Sequence, residues 1–597
     1  MRSFAKLMAA CAALATTSPA LAQAAGEENA LIDPACDRAC LLETLGGFMS
    51  ALEAGDATRL ALSGDVIFTE NNVAIPLDRG LWSTVDEVDE VGLEAADPLT
   101  GNAAWFGSVI ENGNPAIIAL RIHVEDGLID EIESVVHRQT ALPAPFGDTV
   151  NMVHDPEYYD ILPEEERVSR ERMHSIADGY FDTVQLNDGQ VFTNFSDDCG
   201  RLENGIRTTS NSREDNMQMA AEGCEAQFRM GIYRINKRIR RDFFIFDEER
   251  GVAVGRGFFD HANEFDRYLL TNGREMRTAL KWPNSITLIE AFRIKNQEIQ
   301  RIEAVFTYVP YFMHNPFWGP DSTPPEYAPQ PDKCDAACLE ANARAVMSAY
   351  PGNKWQDVNW TKKVAYSENS VGIRIGESVW RTATAVDSNP LVIADAATGK
   401  AVWIGRIEEH GQPAWAAMMV SAAGDKVGGI DALIRRKEYG APYAEPEAAP
   451  SYPALPQGQR SSRKDMLAAV DRFYEAFAAD NGSVPADLAA NCQWKLNGQP
   501  VGGCAAPFAG RRLQPIEQVR DRKLLAVDEA RGLVAVSTYE DFPAIEQEFT
   551  ATDGSTFGDS LPYPRTQQVV ELFRISGGKI DQVEAFTSEL PYGMQRR

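Results

Sequence analysis

Of all the side chains in this sequence, His261 and its neighbour Asp260 are the best placed by type to move a proton. A neutral imidazole titrates close to neutral pH, and a positioned carboxylate or imidazole can take a proton from carbon or return it. Tyr233 and Arg234 come shortly before, followed by the basic run Lys237, Arg238, Arg240 and Arg241; Tyr308, Tyr311 and His314 come after. In such a set Arg234 could hold developing negative charge, and Tyr233 or Tyr308 could supply an aromatic wall or a proton. Neighbours on a strand face opposite ways, so Asp260 and His261 cannot form a simple dyad. Arg121 and His123 are two residues apart and share one strand face, which makes them a second candidate binding pair with His314. The plainer reading of all these residues is hydrogen-bonded surface or interface, with the basic run a solvated helix face or a salt-bridged interface.

These positions stand out because the chain repeats itself and they do not. Cys36-Asp37-Arg38-Ala39-Cys40-Leu41 returns 298 positions later as Cys334-Asp335-Ala336-Ala337-Cys338-Leu339, and Glu70-Asn71, Trp82 and Gly107 return as Glu368-Asn369, Trp380 and Gly405. A second unit also repeats: Cys199 and Asn204-Gly205 become Cys492 and Asn497-Gly498 at an offset of 293. Beyond the next cysteine the offset is 281, and Asp247 to Gly251 becomes Asp528 to Gly532. A self-similar register of this kind marks duplication. The layout is A-B-A′-B′, with A over 33–140, B over 165–316, A′ over 332–440, a linker over 441–462 and B′ over 463–595. His261 is matched by Phe542, and the Tyr308–His314 end of B by Glu589, Tyr592 and Met594. His123 is matched by Met418 or a close neighbour. His137-Arg138 maps to Ile434-Arg435 or, with a one-residue slip, to Arg435-Arg436. Recurring groups, namely the Glu-Asn pairs and Glu133, Glu303, Asp431 and Glu584, read as fold devices first and as general bases second.

Each unit opens with a helical pattern. Leu42, Leu45, Phe48, Met49 and Leu52, and likewise Met466, Ala469, Val470, Phe473 and Phe477, recur at three-to-four spacing. Alternating segments such as Ala116–Val124, Val252–Phe259 and Ile286–Ile294 then read as strands separated by Asp-Gly, Asn-Gly and Gly-Gly turns. Helix followed by antiparallel sheet gives an α+β unit whose sheet must curve to bury its face.

The whole chain has 597 residues and a formal net charge of −30, from 57 basic and 87 acidic residues. That is too long for one core, and the charge argues against a nucleic-acid partner. Residues 1–22, with Arg2 and Lys6, an apolar stretch and Ala20-Leu21-Ala22, read as a cleaved signal peptide, which implies a periplasmic or secreted protein without a membrane anchor. Eight cysteines remain in four local pairs: Cys36/Cys40, Cys199/Cys224, Cys334/Cys338 and Cys492/Cys504. In an exported chain these read as disulfides. The sequence carries no dinucleotide fingerprint, P-loop, zinc motif or nucleophile elbow, so neither cofactor nor metal is implied.

The opening amphipathic helix, the Phe68-Thr69-Glu70-Asn71-Asn72 strand and the closing turn and strand from Asp126 to Val136 resemble the cone-shaped NTF2-like superfamily, in particular its SnoaL-like branch. The resemblance implies four tandem cones, each with N-terminal helices packed on a curved antiparallel sheet and a pocket at its open end. It implies a cofactor-independent lyase, dehydratase or isomerase acting on a small aromatic or carboxylated compound, with His261 or an interior carboxylate as the base. The alternative is a non-catalytic binding or assembly protein. Units of this kind pair by their sheet faces, so A is expected on B and A′ on B′, in a monomer or homodimer.

Overall fold

The computed structural model describes residues 36–138, 146–212, 219–278, 281–319, 327–330, 333–437, 443–559 and 561–596. The 1–22 segment read as a signal peptide lies outside the described residues, as do parts of the proline-rich stretches near 141 and 320 and the start of the 441–462 linker.

One long helix opens each unit: Arg38–Glu53, Arg170–Leu186, Ala336–Ala349 and Arg463–Ala479. Asp37 and Asp335 cap the A-type helices by accepting from the amides of Cys40 and Cys338, and Ser169 and Ser462 cap the B-type helices. Each cap satisfies an amide that has no partner inside its helix. The buried stripes of A and B′ follow the predicted spacing, except that in A Leu41 and not Leu42 is the buried residue ahead of Leu45, Phe48, Met49 and Leu52. Only a short second helix follows, Leu81–Thr84 in A and Cys224–Met230 in B. All four cysteine pairs form local disulfides.

The sheets are α+β cones as expected, with one correction: they are mixed, not antiparallel. In A the first strand, Leu62–Glu70, runs parallel to the last, Leu128–Arg138; Asn114–Glu125 and Asn102–Glu111 then follow antiparallel. In B, Phe195–Glu203 lies parallel to Glu298–Val309, followed by Asn284–Lys295, Val252–His261 and Arg238–Asp247. The other two units repeat both patterns. The first strand leaves its neighbour through a tight turn and meets the closing strand only after the whole unit has been traversed, which brings the two together in the same direction.

That tight turn explains the recurring asparagines. Asn71-Asn72, Asn204-Gly205, Asn369-Ser370 and Asn497-Gly498 all have positive φ at both residues, the backbone of a type I′ hairpin, where Asn and Gly are favoured. The first Asn of each pair then clips the closing strand: its side-chain oxygen accepts from Val136, Phe306, Ile434 and Thr587 amides respectively.

Inside each unit, one sheet face packs on the helix. The other faces join the units in pairs. Phe106, Ile117, Ala119 and Val135 of A interleave with Ile245, Val254, Ile289 and Val305 of B. Val402, Ile404, Ala417 and Leu433 of A′ meet Ala535, Val570, Leu572 and Phe586 of B′ in the same manner. The connecting segments are docked on this pairing. Tyr158, in the Pro156-Glu157-Tyr158-Tyr159 stretch, is buried and donates to the Ala291 carbonyl, while Tyr452 of the later linker donates to Glu584. The 441–462 segment is therefore a packed strap along its described residues and not a free spacer.

Candidate functional site

The interior of cone B holds a polar cluster in an aromatic shell. Leu288, Glu290 and Phe292 alternate onto the helix-facing side of Asn284–Lys295, so Glu290 points among Phe181, Phe228 and Phe292. Arg201, from the first strand of the unit, enters from the side. Its Nε donates to Glu203 at 3.1 Å and to Thr208 at 3.1 Å, and its Nη2 donates to Gln227 at 2.6 Å and to the Tyr233 hydroxyl. The Tyr233 backbone amide is fixed by Asn187, the left-handed cap of the opening helix, at 2.5 Å. Tyr180, on that helix, hydrogen-bonds to Glu290.

Burial, and then the charge of Glu203, push the Glu290 carboxyl up to about 8. Burial likewise raises the Tyr180 and Tyr233 hydroxyls above the usual phenol range. One oxygen of Glu290 and the Nη1 of Arg201 are buried without a hydrogen-bond partner, although buried polar groups are nearly always paired. An acid and a cation thus face the same interior and leave one another's free atoms unsatisfied.

Among the sequence candidates, Tyr233 belongs to this cluster and the others do not. Asp260 is consumed by Arg238 at 2.7 Å, Arg240 at 2.9 Å and Ser285 at 2.5 Å. His261 faces the other way, bonded to Asn284 at 3.1 Å beside a cavity of only about 10 Å³. Burial pulls its imidazole down to about 4, so it is neutral at physiological pH. Arg234 is exposed and donates to the Leu269 carbonyl. The structure does not bring His261 and Asp260 together, as their adjacency on a strand predicts, and arginines occupy Asp260. The basic run lies on the strand Arg238–Asp247, not on a helix; Arg241 pairs with Asp178 and Asp182, and Lys237 with Glu264.

Tyr308 lines a cavity of about 210 Å³ where the four units meet, together with Arg138, Arg436 and Arg565. Burial lifts its hydroxyl to about 12. Each of these arginines is already paired, Arg138 with Glu70 and Glu111, Arg436 with Glu368 and Glu409, and Arg565 with Asp559. His314 lines a wider groove of about 1070 Å³ between B and A′, beside Trp318 and Trp355.

Arg121 and His123 do share a strand, and both are engaged by acids. His123 contacts Asp130 at 2.6 Å, and Arg121 is buried against Glu131, Glu133 and Asn102. Strand register places His123 opposite Asn102, as Ser421 lies opposite Lys400, so Ser421 is its counterpart and Met419 is that of Arg121. The same register equates His137-Arg138 with Arg435-Arg436.

The four recurring strand acids stand on the paired sheet faces. Glu133 is held by Arg121 and, across the A–B boundary, by Arg256 at 2.7 Å; Glu303 by His154 at 2.7 Å; Glu584 by Tyr452 at 2.7 Å; and Asp431 by Ser367 at 2.7 Å. Burial opposes ionisation of Glu133, but Arg256 and Arg121 outweigh it and hold the carboxyl below its ordinary value. These acids act in assembly.

Glu290 is passed over by a comparison of differences because it recurs; Arg201 and Tyr180 do differ, as Trp494 and Phe473, but neither stands beside the residues that the sequence singles out. Glu290 recurs as Glu571, and the signal was an acid in the middle of an alternating apolar strand. Among the described residues no group of His, Cys, Asp and Glu has the arrangement to hold a metal ion, and no helix is long and apolar enough to cross a membrane.

Against this geometry, residues 166–306 and 459–587 match a domain of unknown function, DUF8021. The two matches fall on B and B′, in keeping with their common register. No curated protein matches the chain. Solved structures with similarity include a Mycobacterium tuberculosis LEH-like epoxide hydrolase, 16% identical over 21% of this chain and 84% of its own, with a TM-score of 0.15. The epoxide hydrolase/cyclase-like enzyme SalBIII is 18% identical over 21% of this chain and 90% of its own, at 0.15. LinA is 15% identical over 23% and 97%, at 0.16.

Proposed function

We propose that cone B is the acid–base site of a cofactor-independent lyase, dehydratase or isomerase acting on a small carboxylated compound. The carrying observation is the unsatisfied pair inside the cone, the free oxygen of Glu290 facing the same interior as the free Nη1 of Arg201. A carboxyl near 8 is poised to work in both directions close to neutral pH. Ionised Glu290 takes a proton from carbon next to a carbonyl or carboxylate, and Arg201 holds the oxyanion that forms. Protonated Glu290 then returns the proton to another carbon, which completes an isomerisation, or to a departing hydroxyl, which completes a dehydration. Tyr180 and Tyr233 hold the acid and the guanidinium in place. A periplasmic or secreted setting is supported by the four disulfides and by the character of residues 1–22.

The test is proton exchange in D2O, followed by NMR, on a panel of small hydroxy and unsaturated carboxylic acids. Glu290→Gln should lower exchange by about 10²–10⁴-fold while ligand affinity stays within a few fold; unaltered exchange would remove Glu290 from the role. The binding or assembly reading draws on the cavity at the meeting of the four units, and gains if a compound binds without any exchange.

A further inference from the structure

Cone B′ keeps the acid of cone B and loses its cation. Glu571 stands in register with Glu290, each opposite the equivalent residue of the preceding strand, Val536 and Gly255. A helix tyrosine again reaches it: Tyr474 donates to Glu571 at 2.6 Å. At the position of Arg201, however, stands Trp494, paired with Val583 as Arg201 is with Ile302. Its ring packs 5.6 Å from Phe473 and stacks on Phe508. In addition, Glu540 replaces Phe259 and Thr538 replaces Gly257 on the inward-facing side of the strand Leu533–Phe542.

This leaves two carboxyls in one aromatic cone with no basic side chain between them. Glu540 is partly exposed at the rim and has no hydrogen-bond or ion-pair partner among the described residues, whereas Glu571 is buried with Tyr474 as its only bond. The Thr538 hydroxyl, from the same inward row, is 1% exposed and unpartnered. The arginines of the adjacent strand are already engaged, Arg520 with Asp541 and Arg522 with Asp471 of the opening helix, the Arg522 guanidinium lying 4.9 Å from the Tyr474 ring. Burial, then the charges of Glu571 and Asp541, raise Glu540 to about 8, and burial raises Glu571 to about 7. A monovalent cation entering from the rim would meet two acids, an unpaired hydroxyl and the faces of aromatic rings, and indole faces attract cations.

We infer that cone B′ binds a small organic ammonium ion, which takes the place that Arg201 fills in cone B. This goes beyond the proton-transfer reading of cone B and stands independently of it. Two acids and an aromatic wall suit an alkylammonium or arylalkylammonium group, and the two acids repel an anion.

Isothermal titration of the full chain at pH 8, using methylammonium, ethylammonium and benzylammonium chlorides, tests this, with benzyl alcohol and sodium chloride as controls. At least one ammonium should bind and neither control should. Glu571→Gln and Glu540→Gln should each weaken binding at least tenfold, and Trp494→Arg, which builds the cation in, should abolish it. Glu290→Gln in cone B should leave affinity within twofold, so that this result and the exchange result can fail separately. Absence of binding by all three ammonium ions, equal binding of benzyl alcohol, or binding that survives both Glu571→Gln and Trp494→Arg would overturn the inference. Circular dichroism of each variant, checked first, confirms that lost binding is not lost fold.

Discussion

Where the first half of the chain buries Arg121, Arg201 and Arg256, the second half has Met419, Trp494 and Ser537, and it buries arginines elsewhere, at Arg435 and Arg565. At the A–B boundary Arg121, Glu133 and Arg256 form a buried ion network, closed by Asn315 and by Phe317, whose ring lies 4.8 Å from the Arg121 guanidinium. Strand register equates these three with Met419, Asp431 and Ser537. Cone B has Arg201 where cone B′ has Trp494. Even the start of the closing strand differs: Asp130 and Glu131, which hold His123 and Arg121, become Gly428 and Gly429, and Tyr327 lies over them so closely that an added Cβ at Gly428 would sit 2.2 Å from its ring. The same frame thus holds two different sets of residues at these positions, each changed together with the side chains it touches. Glu133, bonded directly to both Arg121 and Arg256, is held below its ordinary value, whereas Glu571, with no arginine bonded to it, is raised by burial.

The largest expected effect tests the boundary networks. Glu133→Ala removes the buried acid that Arg121 and Arg256 share and leaves each with one more exposed partner, Glu131 and Asp242; breaking a buried pair from one side costs about 3–5 kcal/mol. The equivalent Asp431→Ala removes an acid that is a quarter exposed and 3.7 Å from its arginine, Arg596, so less than about 1 kcal/mol is expected. Urea denaturation of both variants measures the difference. Equal losses would mean that the two boundaries work alike in spite of their different residues.

The contrast between halves was only partly visible in the sequence. The duplication, the helix stripes, the strands and the cysteine pairs were legible because each rests on local spacing or on recurrence. The parallel pairing of first and last strands was not, since direction depends on how the whole unit closes. The candidate site divided in the same way. Tyr233 was picked out as non-recurring and does sit in cone B, but His261 and Asp260 were not separable from structural residues without knowing that Arg238 and Arg240 reach Asp260 from the adjacent strand. Glu290 and Glu571 recur, and a search restricted to differences passes over them; their surroundings differ, and that difference lies in Arg201 and Trp494, on another strand.

A smaller effect separates the two cones by pH. The carboxyls of Glu540, Glu571 and Glu290 titrate at about 8, 7 and 8 in the folded chain, above the ordinary Glu value. Between roughly pH 4.3, the unperturbed value, and pH 8 the folded state therefore holds more protons than the unfolded state, and stability falls as pH rises through that window. Thermal midpoints measured from pH 5 to 9 should decline less steeply in each Glu→Gln variant than in the parent. The double variant Glu540→Gln with Glu571→Gln should flatten the decline about twice as much as Glu290→Gln, because cone B′ has two such acids and cone B one. Equal flattening would show that the cones do not differ in the number of neutral acids they bury.

The smallest difference expected between the halves lies in the loops that their disulfides close. Cys199–Cys224 spans 25 positions and Cys492–Cys504 spans 12, and both tie the first strand of a B-type cone to the short helix beside it. A crosslink stabilises by limiting the unfolded chain, with an entropy that grows as the logarithm of the loop, so the two contribute about 3.5 and about 2.8 kcal/mol. Replacing both cysteines by serine in each case should therefore destabilise the B cone by only about 0.7 kcal/mol more than the B′ cone, a gap resolvable by denaturant titration of the two variants side by side. A gap of several kcal/mol in favour of either bridge would mean that it holds native structure and not merely the unfolded ensemble, and cone B would be the first place to look, because Gln227, on the helix that begins at Cys224, holds the guanidinium of Arg201.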